Sequence, residues 1–164
     1  KDIPAFDKAT ELLDTAVAEV RTISQNLQPG ALNRLGLVAA VNDLVNRYDD
    51  KYGPEIHFNH FGITEKLDQT VALGIYRIVQ EVLNNAIKHA NANEVILQIN
   101  KEDDEIIIHI EDDGVGFDIS KKHKGMGLEN IRSRVNYLKG SIEIDSRENG
   151  GTSFLIHVNQ TSIK

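Results

Sequence analysis

Asp112-Asp113-Gly114-Val115-Gly116-Phe117, followed closely by Gly125-Met126-Gly127-Leu128, is the stretch on which the reading of this chain turns. The first block closes a strand-like run, residues 105–111, and the second opens a helix-like run, residues 126–138. A carboxylate at the end of a strand can accept a hydrogen bond from an exocyclic amine. Glycines, lacking a Cβ, let a flat base approach the main chain. The start of a helix offers free N–H groups to phosphates. In this order the pieces make a nucleotide cradle. Singly they are also ordinary punctuation, since Asp-Gly follows many strands and glycine pairs are frequent at helix ends.

The helix upstream strengthens the first reading. Residues 71–90, set at steps of about 100°, gather Ile75, Ile78, Val79, Val82, Leu83, Ala86 and Ala90 on one core-facing side. Arg77, Gln80, Glu81, Asn84 and Lys88 take the opposite side, and Asn85 and His89 share the border one turn apart. An amphipathic helix with a solvated polar face accounts for this pattern. Beside the glycine segments, however, the border reads as the wall of a site. Asn85 offers a neutral oxygen to Mg²⁺, an ion that takes few protein ligands. Lys88 and His89 are placed to meet phosphate charge.

Composition narrows the classes. The chain has 164 residues, 40% of them hydrophobic, which suits one compact domain with an appended element. It has no cysteine, so a disulfide framework and a thiolate metal site are excluded, in keeping with a reducing cytoplasm. No apolar run approaches the roughly 20 residues that span a bilayer, and the first residues lack the apolar core of a signal peptide. A formal net charge of −7 disfavours a general nucleic-acid surface. The basic cluster Lys121-Lys122-His123-Lys124 falls between the glycine segments, where it reads equally as a solvated loop or as a lid facing phosphates.

Phe6, Ala9, Leu13, Ala16, Val20, Ile23 and Leu27 form a heptad seam that Pro29-Gly30 stops. A lone helix of that length is marginal in water and must pack on something. Residues 35–52 read as one further helix, residues 55–61 as an edge strand, and residues 94–100 and 105–112 as a hairpin around a charged turn. A second hairpin joins residues 141–147 to 152–159. Several helices with a largely antiparallel sheet predict an α/β protein, a two-layer α/β sandwich.

Residues 76–90, Tyr-Arg-Ile-Val-Gln-Glu-Val-Leu-Asn-Asn-Ala-Ile-Lys-His-Ala, resemble the N-box of sensor histidine kinases, in particular the R-x-x-Q-E-x-x-x-N-x-x-K-H-A run of the nitrate-sensor-like subfamily. Residues 112–117 resemble their first glycine box, residues 125–135 the second, and Gly150-Gly151-Thr152 the short element on a late strand. The wider likeness is to the GHKL ATPases with their Bergerat-type fold. Residues 19–29, Glu-Val-Arg-Thr-Ile-Ser-Gln-Asn-Leu-Gln-Pro, with Leu35-Gly36-Leu37, resemble the second dimerisation helix and its exit.

The resemblance implies an ATP-binding catalytic domain over residues 31–164, preceded by a long dimerisation helix over residues 1–30. It implies ATP and Mg²⁺ as ligands. Asp112 would receive the adenine amino group, while Gly114 and Gly116 would admit the base and ribose. Gly125, Gly127 and Leu128 would shape the exit of the lid and the helix start facing the triphosphate. Thr152 would reach the adenine, Asn85 would hold the metal, and Lys88 and His89 would neutralise phosphate. Glu81 is open between preparing the attacking group and a structural pairing with Arg77 or Lys88. Phe117 is open between site wall and core. The partners implied are a second copy, through the N-terminal helix, and a response regulator, with no nucleic acid and no direct membrane contact; the location implied is cytoplasmic.

The subfamily carries its phosphoacceptor histidine in an E-R-x-R-I-x-x-x-L-H pattern on a first helix. None of the six histidines here, His57, His60, His89, His109, His123 and His157, follows such a run. The expectation is therefore a fragment that binds ATP and does not phosphorylate itself at the usual place. Two other classes compete: a docking module of the same fold without turnover, and a GHKL serine kinase or stand-alone ATPase. The segment at residues 19–29 disfavours the last two.

Overall fold

The computed structural model describes residues 30–48, 53–119 and 127–160. The heptad seam, the basic cluster, Gly125 and Met126 lie outside the described residues.

Two short helices come first, α1 (Gly30–Leu35) and α2 (Leu37–Tyr48). One continuous helix was expected from residue 35, and Gly36 is why it does not form. Its φ of 88° is left-handed, so the chain turns there, and its carbonyl accepts the first hydrogen bond of α2 from Ala40 at 3.2 Å. The apolar spacing survives the break: Leu37, Ala40, Val41 and Leu44 are all buried.

Strand β1 (Glu55–Phe61) leads to the long helix α3 (Gln69–Asn85). The helix starts two residues before residue 71 because Asp68 caps it, its Oδ1 accepting from Thr70 N at 2.8 Å and Val71 N at 3.2 Å. The expected core face is buried from Ile75 to Ala86, with Ala90 only partly so, and Val71, Ala72 and Tyr76 join it. The last turn, Ala86–Ala90, widens to π-helical geometry before Asn91, at φ 49°, ends it. Wide turns of this kind are frequent at functional sites.

Strands β2 (Glu94–Glu102) and β3 (Glu105–Asp112) form the first hairpin. Helix α4 (Gly127–Tyr137) then precedes the second hairpin, β4 (Ser141–Ser146) and β5 (Thr152–Asn159). The five strands lie in the order β1-β2-β3-β5-β4, with β1 and β2 parallel and every other pair antiparallel. The parallel pair follows from α3, which carries the chain back across the sheet. Alternate residues, among them Val95, Leu97, Ile106, Ile108, Phe154 and Ile156, face the helices and are buried. The described helices lie on one face of the sheet, which gives the two layers. His57 and His60 lie within β1 on the sheet edge, where the edge-strand reading of residues 55–61 puts them.

One expectation about α3 is corrected. The side opposite its core face is not simply solvated, because α2 covers part of it. Tyr48 donates to Asn84 Oδ1 and Arg47 to Tyr76 Oη, each at 2.8 Å.

Candidate functional site

A cavity of about 430 Å³ opens where the end of α3 meets the end of β3, the start of β5 and the start of α4. That is the size class of small-molecule sites. Glu81, Asn85 and His89 line it from α3 and its wide last turn, Asp112 and Gly116 from the glycine segment, Gly127 and Leu128 from α4, and Thr152 from β5.

Strand register sets the far wall. Asp112 stands opposite Thr152 across β3 and β5, and Thr152 opposite Ser146 across β5 and β4. Three polar side chains are thereby buried side by side, Asp112 at 8% exposure, Ser146 at 7% and Thr152 at 6%. Such groups persist in a core only when hydrogen-bonded. Ser146 Oγ accepts from Phe117 N at 2.9 Å and donates to Gly151 O at 3.0 Å. Its single proton is then committed, so the 3.0 Å contact with Thr152 Oγ1 has the threonine as donor. Asp112 Oδ1 accepts from Gly114 N at 3.0 Å. Burial pushes the Asp112 carboxyl above the ordinary aspartate range, the charges of Asp113 and Glu111 add to this, and the main-chain N–H groups of Gly114 and Thr152 pull it partly back. A carboxylate held in so dry a place, with only main-chain partners, is suited to an uncharged donor from a ligand.

Asp113, its neighbour, does different work. It is exposed, and its carboxylate accepts from Asn93 N at 2.7 Å and Glu94 N at 3.0 Å, which holds its proton affinity below the usual range. It ties the end of β3 to the start of β2.

The glycines are needed for close approach. A Cβ on Gly114 would lie 2.7 Å from Ala90 Cβ and 2.8 Å from Asp112 Oδ1, and would strike the Ala90 carbonyl. The same carbonyl accepts from Val115 N at 2.7 Å, so the loop is laced onto the end of α3. Gly116 has φ +57°, and a Cβ there would meet the carbonyls of Arg147 and Gly151, the latter at 2.6 Å. At Gly127 a Cβ would sit 3.0 Å from Glu81 Oε1, 3.2 Å from Asn85 Nδ2 and 3.3 Å from Asn85 Oδ1, so these two side chains converge on the start of α4.

Of the residues singled out in the sequence, Glu81, Asn85, His89, Asp112, Gly116, Gly127, Leu128 and Thr152 surround one cavity. Gly114 lies behind the wall and shapes it through Asp112. Lys88 is exposed and outside the lining. Gly125 lies outside the described residues. Phe117 lines the cavity, which decides between its two readings in favour of the wall. Arg77 donates to Gln80 Oε1 at 2.6 Å rather than pairing with Glu81. Sequence reasoning missed Ser146 and Phe154. A serine ending a strand gives no signal by itself; only the hairpin register, set by the glycine pair at residues 150–151, brings it to Thr152.

A helical layer on a mixed five-stranded sheet, with a cavity walled by a buried strand-end aspartate and closed by glycines, defines a nucleotide-binding α/β sandwich. The chain belongs to the family of histidine kinase-, DNA gyrase B-, and HSP90-like ATPases, which residues 70–162 match, more than half of the chain. It is 34% identical over 149 residues to the signal transduction histidine-protein kinase/phosphatase DegS of Brevibacillus brevis, with 90% of this chain and 39% of that protein covered. It is 36% identical over 144 residues to the sensor histidine kinase ComP of Bacillus subtilis, covering 86% of this chain and 19% of that protein. The chain thus spans about a fifth to two fifths of the length of these relatives. In structure it resembles the histidine kinase domain of the Erythrobacter litoralis EL346 blue-light activated histidine kinase, with TM-score 0.62 and 20% identity over 77% of this chain and 62% of that one. It also resembles the catalytic domain of the histidine kinase ThkA, with TM-score 0.57 and 18% identity over 76% of this chain and 91% of that one. The likeness to sensor histidine kinases read from the motifs is borne out. No described helix is long and apolar enough to cross a membrane.

Proposed function

We propose that this chain is the ATP-binding catalytic part of a two-component sensor histidine kinase of the nitrate-sensor-like subfamily. The observation that carries the reading is the placing of Asp112 and Asn85 on one cavity, a buried acceptor on one side and an amide on the other. Asp112 receives the adenine amino group and selects adenine over guanine, whose corresponding position is a carbonyl. Thr152, its hydroxyl held by Ser146, completes that wall. Gly116 lets the base lie against the main chain.

Asn85 holds Mg²⁺, which when bound offsets charge on the phosphates, and the Glu81 oxygen beside it supports the same end of the cavity. His89 faces phosphate from the wide turn. Lys88, exposed one residue earlier, meets phosphate at the mouth of the cavity. Gly125, Gly127 and Leu128 set the exit of the lid and the start of α4. Phosphoryl transfer rests chiefly on positioning and charge neutralisation, so this site needs no covalent protein intermediate. The γ-phosphate goes to a histidine on another segment and from there to a response-regulator aspartate. Residues 1–30 pair with a second copy as a dimerisation helix, residues 31–164 form the catalytic domain, and the protein works in the cytoplasm.

Labelled ATP tests this when the chain is mixed with a separate dimer bearing a phosphoacceptor-histidine helix. The expected product is an acid-labile phosphoprotein. Free phosphate alone would make the chain a stand-alone ATPase, and calorimetry without a nucleotide signal would leave only the docking-module reading.

A further inference from the structure

A second cavity, of about 520 Å³, runs between the first half of α3 and the part of α4 from Asn130 to Tyr137, and it shares no lining residue with the nucleotide cavity. Leu73, Gly74 and Arg77 form its stripe on α3; Ser133, Arg134 and Tyr137 form the facing stripe on α4. Each stripe keeps the three- and four-residue spacing of a helix face, and with its flanking residues runs about 10 Å. A Cβ on Gly74 would lie 2.8 Å from a methyl of the fully buried Leu138, so the glycine lets that side chain pack directly against α3 beneath the groove.

Charge and exposure single this groove out. The chain is acidic, with net charge −7, yet both charged residues lining the groove are arginines. Arg77 is partly buried; its polar partner is the neutral Gln80, and its guanidinium lies 5.7 Å over the Tyr76 ring. Tyr137 is 70% exposed at the rim. A partly buried arginine and an exposed one, beside an exposed tyrosine and apolar side chains, have the composition of protein-binding hot spots.

We propose that this groove docks an acidic segment of a partner protein. A carboxylate sits between Arg77 and Arg134, and an adjoining apolar or aromatic side chain lies on Leu73 and Gly74 against Tyr137. A second copy of this face is a poor occupant, because a two-fold contact would set arginines against arginines. A small inorganic anion would use the guanidinium pair and leave the apolar side chains uncovered.

The test uses the full chain, a fluorescent amphipathic peptide of glutamate, leucine and phenylalanine, and the same peptide with lysine for glutamate. The acidic peptide is expected to raise anisotropy and to shift the amides of Leu73, Arg77, Ser133 and Tyr137 in NMR spectra, with the lysine peptide silent. Arg134→Glu is expected to weaken the complex about tenfold, as loss of one ion pair plus repulsion implies, and Tyr137→Ala to weaken it with its salt dependence unchanged. Both residues face solvent, and retained nucleotide binding by each variant shows that it folds. Equal binding of the two peptides, amide shifts elsewhere, or displacement of the peptide by inorganic phosphate alone would overturn the proposal. A change from dimer to monomer on Arg134→Glu would make the occupant a second copy and overturn it as well.

Discussion

Replacing Asp112 by asparagine separates binding from folding at the centre of the nucleotide cavity. The shape is preserved and the charge removed. The aspartate is buried, and Gly114 N–H already occupies Oδ1 at 3.0 Å. In the asparagine variant the amide oxygen keeps that partner, and the NH₂ group turns toward the cavity. A donor then faces the donor of the adenine amino group. A hydrogen bond to a charged acceptor is worth about 1.5–3 kcal/mol, so affinity for ATP and ADP falls about 10- to 150-fold. Discrimination against guanine nucleotides shrinks too, since the new NH₂ can donate to a carbonyl. Stability moves the other way. The folded-state pKa of Asp112 lies above its unfolded value, so its contribution to stability is full at low pH and is lost as pH rises through the folded pKa. Near neutral pH the buried charge opposes folding, and asparagine relieves it. Titration calorimetry and thermal unfolding on the same sample make the comparison. Unchanged nucleotide affinity in a folded variant would refute the reasoning, and so would a loss of affinity explained by a collapsed melting temperature.

Further outcomes follow from neighbouring residues. Nucleotide affinity of the unsubstituted protein falls on acidification, with a midpoint above the ordinary aspartate range, because protonation removes the charge of Asp112 and turns one of its oxygens into a donor; calorimetry across pH 4–7 checks it. Asp113→Asn removes stability at neutral pH and little in strong acid, since a carboxyl with a depressed pKa stabilises above its unfolded pKa and loses that contribution as pH falls through the folded one; urea titrations at two pH values measure this. Gly116→Ala destabilises by about 1–2 kcal/mol from its left-handed backbone alone, and more once the Cβ meets the carbonyls of Arg147 and Gly151; equal stability in urea would contradict that geometry. Asn85→Ala abolishes the gain in affinity that Mg²⁺ confers on ATP while leaving metal-free binding nearly unchanged, which paired titrations with Mg²⁺ and with a chelator resolve.

Helix and strand spacing in the sequence was enough to determine the layers of this protein, because 3.6- and 2-residue periods mark which face of each element is apolar. It identified the α3 core face from Ile75 to Ala86, the hairpins and the edge strand at residues 55–61, and it singled out Asn85, His89 and Asp112, which line one cavity. Four features did not follow from spacing, and three of them depend on residues distant in the chain. Gly36 splits an apolar pattern that reads as continuous, since periodicity is blind to a single left-handed residue. Helix α2 covers Asn84 through Tyr48, although nothing local marks that side of α3 as a contact. Strand register brings Ser146, Thr152 and Asp112 together, and the Ala90 carbonyl fixes the loop that makes Gly114 necessary. A sequence states each element's own faces, whereas the meeting of faces is settled by packing, where one carbonyl or one strand offset determines which polar groups share a dry pocket.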